Sequence, residues 1–155
     1  MAIRRILTKD DDILRKVCKP VEKFDDKLAV LLDDMAETLG QANGVGLAAP
    51  QIGIMRRLAI VDLGEEEGIL ELINPSIIKS SGKQRGVEGC LSCPGQWGYV
   101  TRPQKCTVRA QDRQGNFFEK ELKELNCICA CHEIDHLDGK LFLDIVEEMV
   151  EVEEK

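Results

Sequence analysis

Long hydrophobic runs are missing from this chain. No apolar stretch approaches the ~20 residues a membrane-spanning helix needs. Basic charge is also in short supply: 21 Lys and Arg stand against 28 Asp and Glu, a formal net charge of −7. That balance argues against nucleic-acid binding through a basic surface. The opening Met1-Ala2-Ile3-Arg4-Arg5-Ile6-Leu7 has neither an apolar h-region nor a small-residue cleavage site. No signal peptide is therefore expected, and a reducing cytoplasm is the expected setting. Histidine is scarce as well, with His132 and His136 the only two. Internal repeats and low-complexity tracts are absent, apart from an acidic tail from about residue 147 that reads as solvated.

What is present fits an ordinary globular protein: 155 residues, 43% hydrophobic and 32% charged, with few aromatics. One domain over residues 1–155 is expected. Seven cysteines, without a secretion signal, read mostly as reduced, small, buried residues.

In chain order, Lys9-Asp10-Asp11-Asp12 precedes a short helix ended by Pro20. Leu28, Leu31, Leu32, Met35 and Leu39 recur at helical spacing, predicting an amphipathic helix from Asp25 to Leu39. Gly44-Val45-Gly46-Leu47-Ala48-Ala49-Pro50-Gln51-Ile52-Gly53 reads as a loop of close backbone approach. It lacks the ending of a phosphate loop. Residues 58–62 and 70–74 read as a hairpin, Asn74-Pro75 as a turn, and residues 107–110 and 117–120 as a second hairpin. A helix from Leu122 to Leu137 follows, apolar all round at its centre and stopped near Gly139.

His132 and His136 lie four apart on that last helix, so they project from one face and can share a metal ion. Glu133 between them suits a base acting on metal-bound water. The third ligand must come from elsewhere, because no histidine lies downstream. Cys90, in Gly89-Cys90-Leu91-Ser92, completes a Cys-His-His site with one open position. Two rival arrangements stay open. One is a closed Cys90/Cys93/His132/His136 zinc site in a non-catalytic binding module. The other is a protease-type site with an acidic third ligand. If residues 89–93 stay extended, Cys90 and Cys93 point to opposite faces, which disfavours the closed set.

Three stretches then read together: Gly44 to Gln51, Glu88-Gly89-Cys90-Leu91-Ser92, and His132-Glu133-Ile134-Asp135-His136. Their order and spacing resemble the three signature motifs of the peptide deformylases. The resemblance runs over roughly residues 3–146 and includes Leu14-Arg15-Lys16-Val17 and Gly139-Lys140-Leu141-Phe142. It implies a metal-dependent hydrolase that removes the N-formyl group from formyl-methionyl nascent peptides. The fold expected is α+β, with mostly antiparallel sheets packed around a central buried helix carrying the H-E-x-x-H motif.

By that resemblance Cys90, His132 and His136 hold the metal, physiologically Fe²⁺, with Zn²⁺, Ni²⁺ or Co²⁺ able to substitute. Glu133 moves the proton, while the Gln51 side chain and the Leu91 backbone N–H stabilise the oxyanion. Leu125, Ile128 and Cys129 wall a methionine slot, with Val45 and Gly46 opposite. Backbone groups of Val45, Gly46 and Gly89 bind the peptide as an added strand. Glu88 and Arg102 form a buried pair that fixes the Cys90 loop. The chain departs from the family at Cys131, Cys93 and Trp97. It also lacks the basic C-terminal helix by which many members dock on the ribosome, so ribosome proximity is implied without that docking.

Overall fold

The computed structural model describes residues 2–151 and is α+β, with antiparallel sheets and two α-helices. Among the described residues no helix is long and apolar enough to cross a membrane. Helix α1 spans Asp26–Ala42, close to its predicted range. The Asp25 carboxylate accepts the Leu28 N–H at 3.1 Å, satisfying a donor that the first turn leaves free. Asn43 closes the helix in the left-handed conformation.

A five-stranded sheet has the order β1-β2-β3-β6-β7, built from Gly46–Ala48, Leu58–Asp62, Ile69–Ser81, Lys105–Gln111 and Phe117–Lys123. Strand β2 shows why its sequence, Leu58-Ala59-Ile60-Val61, does not alternate with polar residues. Leu58 and Ile60 pack with Leu28, Leu32 and Met35 of α1. Ala59 and Val61, pointing the other way, pack with residues of helix α2, Glu124–Leu137. A strand covered on both faces has no place for a polar residue.

The second sheet has the order β4-β5-β8, from Gln84–Cys90, Cys93–Arg102 and Glu148–Val150. Strand β8 gives the acidic tail a place at a sheet edge while Glu147 and Glu148 stay exposed, as expected of a solvated tail. Residues 148–150 pair with Trp97, Gly98 and Tyr99, and Arg85 bridges both Glu147 and Glu148. The acids offset a basic neighbour instead of facing only water. Residues 152–155 of that tail lie outside the described residues.

Asn74-Pro75 is likewise no turn. It sits inside β3 at a register shift against β6, where Asn74 takes φ 51°. The Asn74 side chain holds the Val21 backbone from both sides, accepting its N–H at 2.8 Å and donating to its carbonyl at 3.0 Å. A bulge accommodates proline, which has no N–H to give the ladder, and asparagine tolerates the left-handed conformation.

Three boundaries also move. The predicted helix before Pro20 is a single 3₁₀ turn, Asp12–Arg15. The expected loop at residues 44–53 contains strand β1 and a 3₁₀ turn at Ala49–Ile52. Leu122 belongs to β7, which runs to Lys123, so α2 begins two residues later than its apolar pattern suggests. Its stop near Gly139 has a steric cause. Gly139 has φ 76°, and a Cβ there would lie 2.5 Å from the Arg15 carbonyl oxygen.

Candidate metal centre and substrate cleft

Two turns of α2 carry His132, Glu133 and His136, all nearly inaccessible to solvent. Cys90 reaches them from the end of β4. The ligand atoms of Cys90, His132 and His136 all lie within 4.8 Å of one another, and Cys90 Sγ is 3.3 Å from His136 Nε2. Donors about 2.0–2.3 Å from one tetrahedral ion stand about 3.5 Å apart, so the triplet fits a single metal with a position to spare.

The His132 ring is fixed from behind. Glu88 Oε1 sits 3.0 Å from its Nδ1, which leaves Nε2 for the metal side. Arg102 grips Glu88 with two hydrogen bonds of 2.9 and 3.0 Å and binds Asp135 at 2.6 Å. Phe142 lies near-parallel to the His132 ring, with centroids 6.0 Å apart. The expected Glu88–Arg102 pair is thus present and buried, but what it holds directly is His132 of the candidate triplet, in addition to its place on the Cys90 strand. Asp135 was not among the sequence candidates; its signal was its position within the H-E-x-x-H stretch, one turn along from Cys131.

Electrostatics follow this arrangement. Burial works against the Glu88 carboxylate, yet hydrogen bonds from His132 and Arg102 outweigh it and hold Glu88 below its ordinary range. Burial disfavours charged His132, but the Glu133 and Glu88 carboxylates outweigh that and raise it. His136 falls well below its ordinary value, through burial and the neighbouring His132, and so is a neutral imidazole suited to ligation. Burial pushes the Glu133 carboxyl up to about 7, against the pull of His132 and Arg102. Glu133 Oε1 is buried with no hydrogen-bond partner among the described residues. Buried polar atoms are nearly always paired, so an idle carboxylate oxygen beside a ligand triplet points to a group that works on something else.

Gln51 is aimed at the same point. Its Oε1 accepts the Ala48 N–H at 2.9 Å, and its Nε2 donates to Ser92 Oγ at 3.0 Å and faces Cys90 Sγ at 3.6 Å. Ser92 is a second positioning residue missed by sequence reasoning, although it stands in the Gly89-Cys90-Leu91-Ser92 motif. Leu91 and Ser92 form the tight turn between β4 and β5. That turn corrects the extended-strand argument about cysteines: Cys90 and Cys93 stand opposite each other in register across it. The neighbouring Cys93 thiol and burial push the Cys90 thiol up, while the influence of Cys90 pulls Cys93 down. Cys93 nevertheless packs among Leu14, Val100, Leu141 and Phe142 and is outside the close triplet.

A cleft of about 480 Å³ opens above the triplet. Val45 and Gly46 line one side, Glu88 and Gly89 the other, and Leu125, Ile128 and Cys129 of α2 line it as well. Both flanking strands, β1 and β4, are edges of their sheets. The cleft therefore offers two unpaired backbone edges to an extended chain. Leu125 and Val45 are 61% and 52% exposed, which puts them at its mouth.

Gly46 must be glycine, because a Cβ there would run into the Glu133 carboxylate. Gly46→Ala is expected to keep the fold but displace Glu133, lowering kcat/KM by on the order of 10². Steady-state kinetics beside a thermal melt and metal analysis check this.

An α+β fold with a Cys-His-His triplet beside an idle buried carboxylate fits one broad class, the hydrolases that work through a bound metal ion. The comparisons narrow it. Residues 3–151 match the model of the polypeptide deformylase family. The chain is 54% identical to a peptide deformylase of Caldicellulosiruptor bescii over 99% of this chain and 92% of that protein. It is 50% identical to one of Acetivibrio thermocellus over 99% and 89%. The crystal structure of a Legionella pneumophila peptide deformylase superposes with a TM-score of 0.91 at 48% identity, covering 94% of this chain and 87% of that one. The chain belongs to the peptide deformylase family, metal-dependent enzymes that remove the N-formyl group from N-terminal formyl-methionine.

Proposed function

We propose that deformylation runs on Cys90, His132 and His136 as metal ligands, with Glu133 as the proton carrier, in one catalytic domain built around α2. The observation that carries this reading is the idle Glu133 oxygen next to the ligand triplet, at the cleft between two free strand edges. The ion is Fe²⁺ in the cell, and Zn²⁺, Ni²⁺ or Co²⁺ suit the same donors. Bound there, such an ion supplies a water of lowered pKa and a Lewis-acidic contact for the formyl oxygen.

The chain's own residues do the rest. Cys90, His132 and His136 fix the ion, and Glu88 locks the His132 tautomer. Glu133 Oε1 takes a proton from water and later gives it to the departing amine. Gln51 Nε2 and the Leu91 N–H donate to the negative charge that develops on the formyl oxygen. Backbone groups of Val45, Gly46 and Gly89 hold the peptide as an added strand, whose hydrogen bonds do not depend on its side chains. Leu125, Ile128 and Cys129 receive the unbranched methionine side chain. The substrates are nascent chains met near the ribosome in the cytoplasm. Docking through a basic C-terminal helix is no part of this reading, since Glu147 and Glu148 are acidic and paired with Arg85.

Protein purified without oxygen and loaded with Fe²⁺ tests the ligand set. Cys93→Ser keeps one ion and its formate release from formyl-Met-Ala-Ser, whereas Cys90→Ser loses both. Loss of the ion in Cys93→Ser supports the closed zinc site instead. Retention in Cys90→Ser of an ion that has no sulfur ligand supports an acidic third ligand.

A further inference from the structure

Helix α2 carries a second pair of metal-capable side chains four residues apart. Cys127 and Cys131 precede His132 and His136 by five positions each, which turns them about 140° around the helix axis. They point away from the cleft toward the five-stranded sheet, where Cys106 of β6 meets them. The sulfurs of Cys106, Cys127 and Cys131 all lie within 4.8 Å of one another, and all three residues are at most 5% exposed. The helix thus has two donor pairs on different faces, each completed by one cysteine from a strand.

We propose that Cys106, Cys127 and Cys131 form a second, structural metal site for a thiophilic divalent ion of the zinc type. The donors are all sulfur, and the rest of the cluster is apolar, with Val61, Leu72, Val108 and Ala110 around it. No carboxylate or imidazole joins the triplet, which selects against hard cations. Charge sets the valence. Three thiolates around a monovalent ion leave two net negative charges in a dry core, and a divalent ion leaves one. Arg102 offers little further compensation, because Glu88 and Asp135 already occupy it. The Cys127 thiol donates to the Pro103 carbonyl oxygen at 3.3 Å, and binding of the ion would displace that proton together with those of the other two thiols. Such an ion ties α2 to the sheet from the face opposite the cleft and sets the register of the helix that bears His132. Because the site is closed to solvent, it loads as the chain folds.

The chain purified anaerobically from zinc-supplemented cells is expected to carry two zinc ions by native mass spectrometry and metal analysis. Zinc K-edge absorption is expected to fit an average of two sulfur ligands per ion. Cys106→Ala and Cys90→Ala are each expected to lose one ion, and the remaining ion to show one sulfur in the first case and three in the second. A single ion per chain with one sulfur ligand, unchanged in Cys106→Ala, overturns the proposal and leaves the three cysteines as small core residues. Should Cys106→Ala not fold, alkylation of the wild type in mild denaturant decides the matter. Zinc is expected to protect Cys106, Cys127 and Cys131; protection of Cys90 alone contradicts the site.

Discussion

Glu133→Gln is expected to leave a folded protein with its metal ion and to lower kcat/KM for formyl-Met-Ala-Ser by on the order of 10²–10⁴. Glutamine has the same shape, so Gly46 still fits beside it and the α2 backbone is undisturbed. What it lacks is an oxygen able to accept and return a proton. Glu133 Oε1 spends no hydrogen bond on the protein, so little stability is lost with it. Metal content, a thermal melt and steady-state rates on one preparation check all three parts. Activity within about tenfold of the wild type contradicts the role given to Glu133.

Arg102→Met is expected to cost roughly 3–5 kcal/mol of stability and to weaken metal binding by about 10–100-fold. The arginine is 4% exposed at its side chain, and it holds Glu88, itself 6% exposed. Removing it strands a buried carboxylate and releases Asp135 as well. Glu88 then loses its fixed orientation, and with it goes the constraint on the His132 ring. Urea unfolding of the metal-free protein gives the first quantity, and chelator competition gives the second. The double change Glu88→Gln with Arg102→Met separates the causes. Stability is expected to recover in part, because the buried carboxylate at 88 is gone and only the part-exposed Asp135 loses its partner, while metal affinity stays low.

The histidine pair was legible in the sequence because its spacing is geometric: residues four apart on a helix share a face whatever surrounds them. Cys90, on a distant strand, had no such spacing and rested on coordination chemistry and the family resemblance. Helix α1 was legible for the same reason, its Leu28, Leu31, Leu32, Met35 and Leu39 stripe being the face it buries. Strand β2 gave no alternation, yet its length and β-branched content were enough. What misled was local chemistry with two uses. Asn74-Pro75 serves a bulge as well as a turn, and only the pairing of β3 with β6 decides which. The acidic run reads as solvated and its acids are exposed, but their pairing with the distant Arg85 is set only by the fold. Cys90 and Cys93 were judged by the faces of an extended strand, but the chain reverses between them. Ser92 and Asp135 act only through contacts made across the fold, with Gln51 and Arg102 respectively. No periodicity announces such partners.

The most direct test is the formate released by the iron-loaded, anaerobically purified chain from formyl-Met-Ala-Ser, with acetyl-Met-Ala-Ser as the control. The account predicts one formate for each free methionine amine, release that falls away in Glu133→Gln, and little or no cleavage of the acetyl peptide. A metal-replete chain that releases no formate contradicts it.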